Sequence, residues 1–335
     1  MIKIAIIGAG GRGTGFSKII GDNPHLATVV AVAEPRDAYR KAIQEKRGIP
    51  EANCFSGWRE FVAADRLCDA VVIATMDQDH VEPAVACMDK GYHMLLEKPM
   101  AVRLEDCQKI AAAQARNGVI TSVCHSMRYH KGFATVKAII DSGRIGTIQT
   151  VDQLEQVAFW HQAHSYVHVD RTAWPANVCS HDHSAESHLE AIKTGPYGRC
   201  VYACDNDVVD HQIVAMEYEN DITVTFTMTA FTQKGGRRLR VHGSAGELYF
   251  DESTIVIREF ATGNMETIEV GVETGGHGGG DSRLTLDWLS ALAVNSGETI
   301  KTDVHQSLRT HSIVFAAEAS RKERRVIDIA SFSKI

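Results

Sequence analysis

The opening fifteen residues, MIKIAIIGAGGRGTG, constrain the fold more than any other stretch. Ile2, Ile4, Ala5, Ile6 and Ile7 form a short apolar run, as expected of a strand buried on both faces of a parallel sheet. The run ends at Gly8-Ala-Gly10-Gly-Arg-Gly13, a G-x-G-x-x-G, and FSKIIGDNP continues it as a helix. A second apolar run, ATVVAVAE, closes on Glu34, roughly twenty residues past the last glycine, where the dinucleotide fingerprint expects an acid. Glycines let the backbone approach a pyrophosphate, and the helix N-terminus supplies free N–H groups and a partial positive charge. Gly8, Gly10, Gly11, Arg12 and Gly13 are therefore the expected cofactor loop, with Glu34 accepting hydrogen bonds from ribose hydroxyls. A carboxylate at that point repels a 2′-phosphate and favours NAD. Arg36, two residues on, softens the preference toward NADP.

The alternation of strand and helix continues. DAVVIAT (69–75) reads as a buried strand, and HVEPAVACMDKG as a helix stopped by Gly91. YHMLLEKPMA leads into Glu97-Lys98-Pro99, LEDCQKIAAAQARNG is a helix ended by Gly118, and VITSVCHS is the next strand. Such alternation predicts a doubly wound parallel sheet, and in these sheets ligands sit at the carboxyl ends of strands. Thr75, Met76, Asp77, His80, Glu97 and Lys98 occupy such ends and are expected to line the cofactor.

From about Thr147 the pattern changes. IVAMEYENDITVTFTMTAFT alternates across Asn220-Asp221, predicting an antiparallel hairpin with one buried face. RRLRVHGSAGELYF, TIVIREF and METIEVGVE add strands. SRLTLDWLSALAVNSG, with Asp281 or Ser282 as cap, and VHQSLRTHSIVFAAEAS predict two closing helices. The expected division is residues 1–124 as a dinucleotide-binding domain and 125–335 as an α+β domain with a large, mainly antiparallel, open-faced sheet. The final residues have the option of packing back on the first domain. The threonine-rich face is either solvated or a dimer surface.

Bulk properties exclude several classes. A formal net charge of −7 with no Lys/Arg run leaves no nucleic-acid footprint. Hydrophobic content of 44% and charged content of 23% are ordinary for a soluble globular protein. No apolar run is long enough to span a bilayer, and the first strand begins at Ile2, so a cytoplasmic protein without a leader is expected. The eight cysteines are scattered without a C-x-x-C, which suits reduced thiols.

LLEKPMA following such a half resembles the glucose–fructose oxidoreductase, inositol dehydrogenase and MocA family of NAD(P)-dependent oxidoreductases. The likeness extends through TMDQDHVEPAVACMDKGYHMLLEKPMA, RYHKGFATVKAIIDSGRIGTI, GELYF and the C-terminal SGETIKTDVHQSLRTHSIVFAAEASRKERRVIDI. It implies a Rossmann domain followed by an α+β substrate domain, a sugar, cyclitol or related polyol as substrate, and a homodimer or homotetramer formed through the C-terminal sheet. It also implies that Lys98 hydrogen-bonds the reacting hydroxyl. A lysine at a strand end beside Pro99 and a positive nicotinamide ring would hold its proton less tightly.

The resemblance further implies an acid–base pair near the start of a helix in the second domain. The best match is Cys179-Ser-His181-Asp182-His183, which makes His181 and Asp182 the candidate pair, with His183 where Asp is expected. Arg128, Trp160, His164, His277 and Asp281 fall on segments the family places around the substrate. Ordinary packing or surface charge is the competing account of Arg128, Trp160 and His164, and a flexible loop before a capped helix that of His277 and Asp281. No metal is expected: His161-x-x-His164-x-x-x-His168 has ligand-like gaps, but hydride transfer in this family needs none. GGHGGGD lacks a following Gly-Lys-Ser/Thr and is not a P-loop. Two alternatives stay open. One is an NAD-assisted glycoside hydrolase or lyase of the same fold. The other is a nucleotide binder that lost catalysis, since the 165–195 region looks shorter than in relatives.

Overall fold

The computed structural model describes residues 1–159, 170–173, 176–180, 182–200, 203–205, 207–271 and 274–333. The chain divides into two compact units, Met1–Tyr129 with Gly275–Ile335, and His130–Thr274.

In the first unit, strands β1 (Ile2–Ile7), β2 (Ala27–Ala33), β3 (Cys54–Phe55), β4 (Ala70–Ile73), β5 (His93–Leu96) and β6 (Thr121–Val123) alternate with α1 (Gly11–Gly21), α2 (Asp37–Arg47), α3 (Trp58–Ala63), α4 (Val81–Asp89) and α5 (Leu104–Asn117). The strands form one parallel sheet in the order β3-β2-β1-β4-β5-β6. Chain direction across the sheet reverses between β1 and β4, which opens a crevice at the carboxyl ends of those strands. The continuous apolar runs now have their reason. Ile4 and Ile6 enter one core, while Ala5 and Ile7 enter the other on the opposite face.

The closing helices, Gly280–Ala293 and Val304–Glu323, complete these same two cores. Leu284, Trp288 and Leu289 pack with Ile4, Ile6 and Phe16, and Val304, Leu308 and Phe315 pack with Cys107 and Ile110. Apolar strands need cover on both faces, and burying a large side chain such as Trp288 contributes on the order of 2–3 kcal/mol. Asp281 does not cap its helix, contrary to the sequence expectation. Gly279 is the N-cap at φ +78°, and no side chain caps it. The Asp281 carboxylate is turned instead toward Arg12, Ser126 and His277. Asp303 caps the last long helix, accepting from the amides of His305 and Gln306 at 2.8 and 3.0 Å.

In the second unit, β7 (Ile148–Ala158), β8 (His211–Glu217), β9 (Thr223–Thr232), β10 (Gly236–Gly243), β11 (Gly246–Phe250), β12 (Thr254–Glu259) and β13 (Met265–Glu269) build a seven-stranded sheet in the order β13-β12-β11-β10-β7-β9-β8. Every pairing is antiparallel except β7 with β9. The expected hairpin is β8 (His211–Glu217) and β9 (Thr223–Thr232), registered from Glu217↔Thr223 to His211↔Thr229. Asn220 and Asp221 both turn at positive φ, as such a connection requires. Val136 and Ile139 of the helix Lys131–Asp141 pack against Val241, Leu248, Phe250 and Ile257 on one face of the sheet. On the hairpin's other face Thr223 and Thr225 are exposed, with Ile213 and Phe231 76% and 64% exposed among them. No helix among the described residues is long and apolar enough to cross a membrane.

Candidate active site at the carboxyl edge of the parallel sheet

The glycine loop leaves β1 and enters α1, and its three fingerprint glycines differ in their surroundings. Gly8 turns at φ +92°, and a Cβ there would lie 2.4 Å from the Ala74 carbonyl oxygen at the end of β4. A Cβ on Gly13 would sit 1.9 Å from the Gly8 carbonyl oxygen, so only glycine lets α1 pack this closely on the loop. Gly10 differs: a Cβ there would meet nothing nearer than an Arg36 nitrogen at 3.7 Å, so the glycine keeps space open above the loop. Gly10 is also the N-cap of α1 and supplies no side chain, and the first helical bond runs from Thr14 N–H to Gly10 O at 2.9 Å. The amides of Gly11, Arg12 and Gly13 therefore have no acceptor within the helix. Open space above amides without helical acceptors at a helix N-terminus fits a pyrophosphate.

Glu34 ends β2 with its carboxylate buried. It accepts from the Ala9 amide at 2.7 Å and from Arg36 through the backbone amide, Nε and a terminal nitrogen at 3.0, 2.7 and 3.0 Å. Burial pushes this carboxyl up, but the bonds from Arg36 and Ala9 outweigh it and hold it below the ordinary value. The Arg36 guanidinium in turn lies 3.8 Å from the centre of the Tyr39 ring. Glu34 thus belongs to the loop's own scaffold.

After β4, Thr75 Oγ donates to the Asp79 carbonyl at 3.1 Å and closes the short turn Asp77–Asp79. Met76 is 63% exposed beside it, and Asp77 is exposed. His80, expected to line the cofactor, is fully buried. Its Nδ1 lies 2.7 Å from the Pro99 carbonyl oxygen; an oxygen without a proton requires Nδ1 to carry one. Its Nε2 lies 3.3 Å from the Thr75 carbonyl oxygen. His80 therefore ties the exit of β4 to the Glu97-Lys98-Pro99 segment rather than facing the crevice.

Glu97, just past β5, meets Arg12 of α1 and Asp281 of the helix Gly280–Ala293 in one part-buried ionic cluster. Arg12 Nε pairs with Glu97, while its two terminal nitrogens hold Asp281 at 2.7 and 2.9 Å. Ser126 Oγ donates to the same Asp281 carboxylate, and His277 Nδ1 lies 3.1 and 3.2 Å from its two oxygens. Burial pushes the Asp281 carboxyl up, but Arg12, His277 and Ser126 together hold it well below the usual carboxylate range. Glu97 spends its second oxygen on the Lys98 amide at 2.8 Å. Both its oxygens are occupied, and among the described residues no carboxylate pairs with the Lys98 ammonium. Lys98 is exposed at the edge.

Beside it, two residues past β6, burial and then His311, Arg128 and Lys98 push the His125 imidazole down to about 4, which keeps it neutral near pH 7. Burial likewise raises the neighbouring Cys124 thiol well above its ordinary value, so it is inert. His311 is locked as the Nδ1–H tautomer: Nδ1 faces the Ser307 carbonyl at 2.8 Å, and Nε2 accepts the Met100 amide at 2.9 Å.

Arg128 reaches away from this cluster, donating to Thr310 Oγ at 3.0 Å and to the Lys301 carbonyl at 3.4 Å. In the second unit, Asp182 is exposed and accepts the Ser184 amide at 2.9 Å, just ahead of a helix Ala185–Thr194 capped by Ser184. His181, Trp160, His164 and the neighbouring His161 and His168 lie outside the described residues. Among the described residues no group of three His, Cys, Asp or Glu is placed to hold a metal ion. Sequence reasoning missed Ser126, His125 and His311. The carboxyl-end rule applied to VITSVCHS would have flagged the first two, whereas a histidine within a long helix carries no such signal.

Comparisons with known proteins agree with this architecture. Residues 2–125 match the family description "Oxidoreductase family, NAD-binding Rossmann fold", and residues 137–329 match "Oxidoreductase family, C-terminal alpha/beta domain". An inositol 2-dehydrogenase of Salmonella typhimurium is 30% identical over 146 residues, 43% of this chain and 43% of that protein. An NADP(+) scyllo-inositol 2-dehydrogenase of Bacillus subtilis is 28% identical over 149 residues, 44% of this chain and 40% of that protein. The chain thus spans less than half the length of these curated relatives. A solved levoglucosan dehydrogenase in complex with NADH and levoglucosan shares the fold at a TM-score of 0.78 and 16% identity, covering 98% of this chain and 99% of that one. An oxidoreductase from Agrobacterium radiobacter, solved with NAD+, L-tartaric acid and magnesium, does so at 0.76 and 16%, with the same coverage. With both halves matched, the chain belongs to the GFO_IDH_MocA oxidoreductase family.

Proposed function

We propose that this protein is an NAD(P)-dependent dehydrogenase acting on a secondary alcohol of a sugar, cyclitol or related polyol. The observation that carries the reading is the convergence of a glycine cradle, an acid-ended β2 and the exposed Lys98 at one edge of the parallel sheet. The amides of Gly11, Arg12 and Gly13 would hold the pyrophosphate, and Glu34 the adenosine ribose. Thr75 and Met76 would flank the nicotinamide. When bound, the nicotinamide supplies the hydride acceptor.

Lys98 donates a hydrogen bond to the substrate hydroxyl oxygen and stabilises the charge that develops as its proton leaves. That role needs an ammonium not already paired, and commitment of Glu97 to Arg12 and to the Lys98 amide leaves it so. His80 positions Lys98 indirectly by holding Pro99. His181 and Asp182 stay candidates for the acid–base pair. Glu34 favours NAD, and Arg36, beside Tyr39, accommodates NADP. The exposed Ile213 and Phe231 support association of copies through the second sheet.

Fluorescence titration with NADH tests the cofactor site, and NAD reduction across a polyol panel tests the reaction. Lys98→Ala is expected to lower kcat/KM by about 100-fold, roughly 2.7 kcal/mol, while the NADH Kd stays within about twofold. An unchanged kcat/KM in that variant refutes the mechanism. Turnover with no net NADH would instead favour the redox-assisted elimination or hydrolysis.

A further inference from the structure

We infer that His277, oriented by Asp281, takes the hydroxyl proton in the dehydrogenation proposed above, on which this inference rests. The pair stands ready-made in the first unit. His277 Nδ1 faces both oxygens of the Asp281 carboxylate at 3.1 and 3.2 Å. An ionised carboxylate only accepts, so the neutral imidazole carries its proton on Nδ1 and leaves the Nε2 lone pair as the base. Asp281 itself cannot turn away, because Arg12 grips it from two nitrogens and Ser126 donates to it as well. An acid that fixes the tautomer and orientation of an imidazole is the arrangement that proton-transfer histidines use on unrelated folds.

Three further observations set this histidine apart from a packing residue. Its side chain is 39% exposed, and Nε2 has no hydrogen-bond partner among the described residues. Its backbone sits at φ +52°, among glycines at +107°, +57° and +78°. A side chain kept in a conformation its neighbours leave to glycine marks a position over-determined by its surroundings, which is common at functional sites. Finally, Arg12 joins Asp281 to Glu97, and Glu97 precedes Lys98, so His277 and Lys98 belong to the same strand-end cluster. Lys98 would hold the substrate oxygen while His277 Nε2 receives its proton.

The step balances. The O–H bond breaks and an N–H bond forms at Nε2, and the C–H pair leaves as hydride to the oxidised cofactor of the proposed reaction. A carbonyl results, and the imidazolium returns its proton to water.

His277→Asn tolerates the positive φ and is expected to lower kcat/KM by at least about 100-fold, within the usual range for a general base. Its NADH Kd, read by fluorescence, should stay within about twofold. In His277→Gly, added imidazole is expected to restore at least about tenfold of the loss, which a merely structural role would not allow. Independently of turnover, 15N spectra of the histidine side chains should show His277 as the Nδ1–H tautomer in the neutral form. Activity within threefold of wild type in His277→Asn overturns the assignment, as does an Nε2–H tautomer. Imidazole rescue of His181→Gly but not of His277→Gly also overturns it. Failure of the dehydrogenase reading looks different: a wild-type protein that binds NADH yet reduces NAD with no polyol overturns both.

Discussion

Replacing Arg12 with methionine is the sharpest perturbation of the strand-end cluster. The guanidinium separates two nearly buried carboxylates, Glu97 and Asp281, whose side chains are 4% and 6% exposed. Removing one partner of a fully buried ion pair costs about 3–5 kcal/mol, because the remaining charge stays desolvated. Arg12 is itself 39% exposed, so solvent screens part of this, and about 2–3 kcal/mol is expected near pH 7. At roughly 2–4 °C per kcal/mol, the melting temperature should drop by about 5–10 °C.

The pH dependence is more diagnostic than the size. In the wild type Asp281 is held far below its unfolded value, so its stabilisation is present above about pH 4 and is lost as pH falls further. In Arg12→Met the two carboxylates face each other without a cation, and one of them binds a proton above its unfolded value. A raised carboxyl stabilises the folded state below the unfolded pKa and loses that contribution as pH rises through the folded one. The difference between variant and wild type should therefore widen from pH 4.5 to pH 7.5. Calorimetry at those two pH values checks it. A difference independent of pH, or one that shrinks as pH rises, would refute the reasoning.

The two glycines of the loop should separate binding from stability. Gly10→Ala is expected to weaken NADH binding by about tenfold, or 1.4 kcal/mol, with little change in melting temperature, because its Cβ enters only the open space above the loop. Gly13→Ala should instead destabilise the fold by about 3 kcal/mol, because its Cβ would overlap the Gly8 carbonyl; equal melting temperatures would contradict this. Glu34→Gln keeps an acceptor for the Ala9 amide but removes the charge, so the ratio of NADPH to NADH affinity should rise by about tenfold. Fluorescence titration with both nucleotides reads it directly. Ile213→Lys with Phe231→Lys should lower the molar mass seen by light scattering if copies associate through that exposed face, and an unchanged oligomer would exclude the face.

The parts of the molecule legible in its sequence are those whose causes are local. A strand buried on both faces must be apolar at every position, so β1, β2 and β4 read as unbroken runs and the parallel sheet followed. The glycine loop was legible for the same reason, since its requirement at Gly8 and Gly13 is met by absence of a Cβ at a fixed spacing. The hairpin of the second unit carried both its period and its turn residues. Asp281 shows where local reasoning stops. An acid at a helix start ordinarily caps the helix, and nothing near it in sequence says otherwise; its partner Arg12 lies 269 residues away. The long-range bidentate pair, with Ser126 and His277 added, outweighs a single capping bond of about 1 kcal/mol.

The same logic separates two histidines, His80 expected at the cofactor and His277 at the substrate. His80 and His277 both lie near strand or helix ends, yet one is fully buried between two carbonyl oxygens and the other faces a carboxylate with its second nitrogen open. Partner chemistry, not position, decides which can move a proton. A carbonyl and a carboxylate both fix a ring's tautomer, but only the carboxylate brings a full charge, and burial at His80 denies a substrate any approach. An ionised carboxylate both orients the ring and stabilises the imidazolium that forms. The cluster around Arg12 therefore does more than close the sheet edge: it holds one carboxylate off the Lys98 ammonium and aims the other at His277. In the proposed reaction one guanidinium thereby prepares both a hydrogen-bond donor and a base.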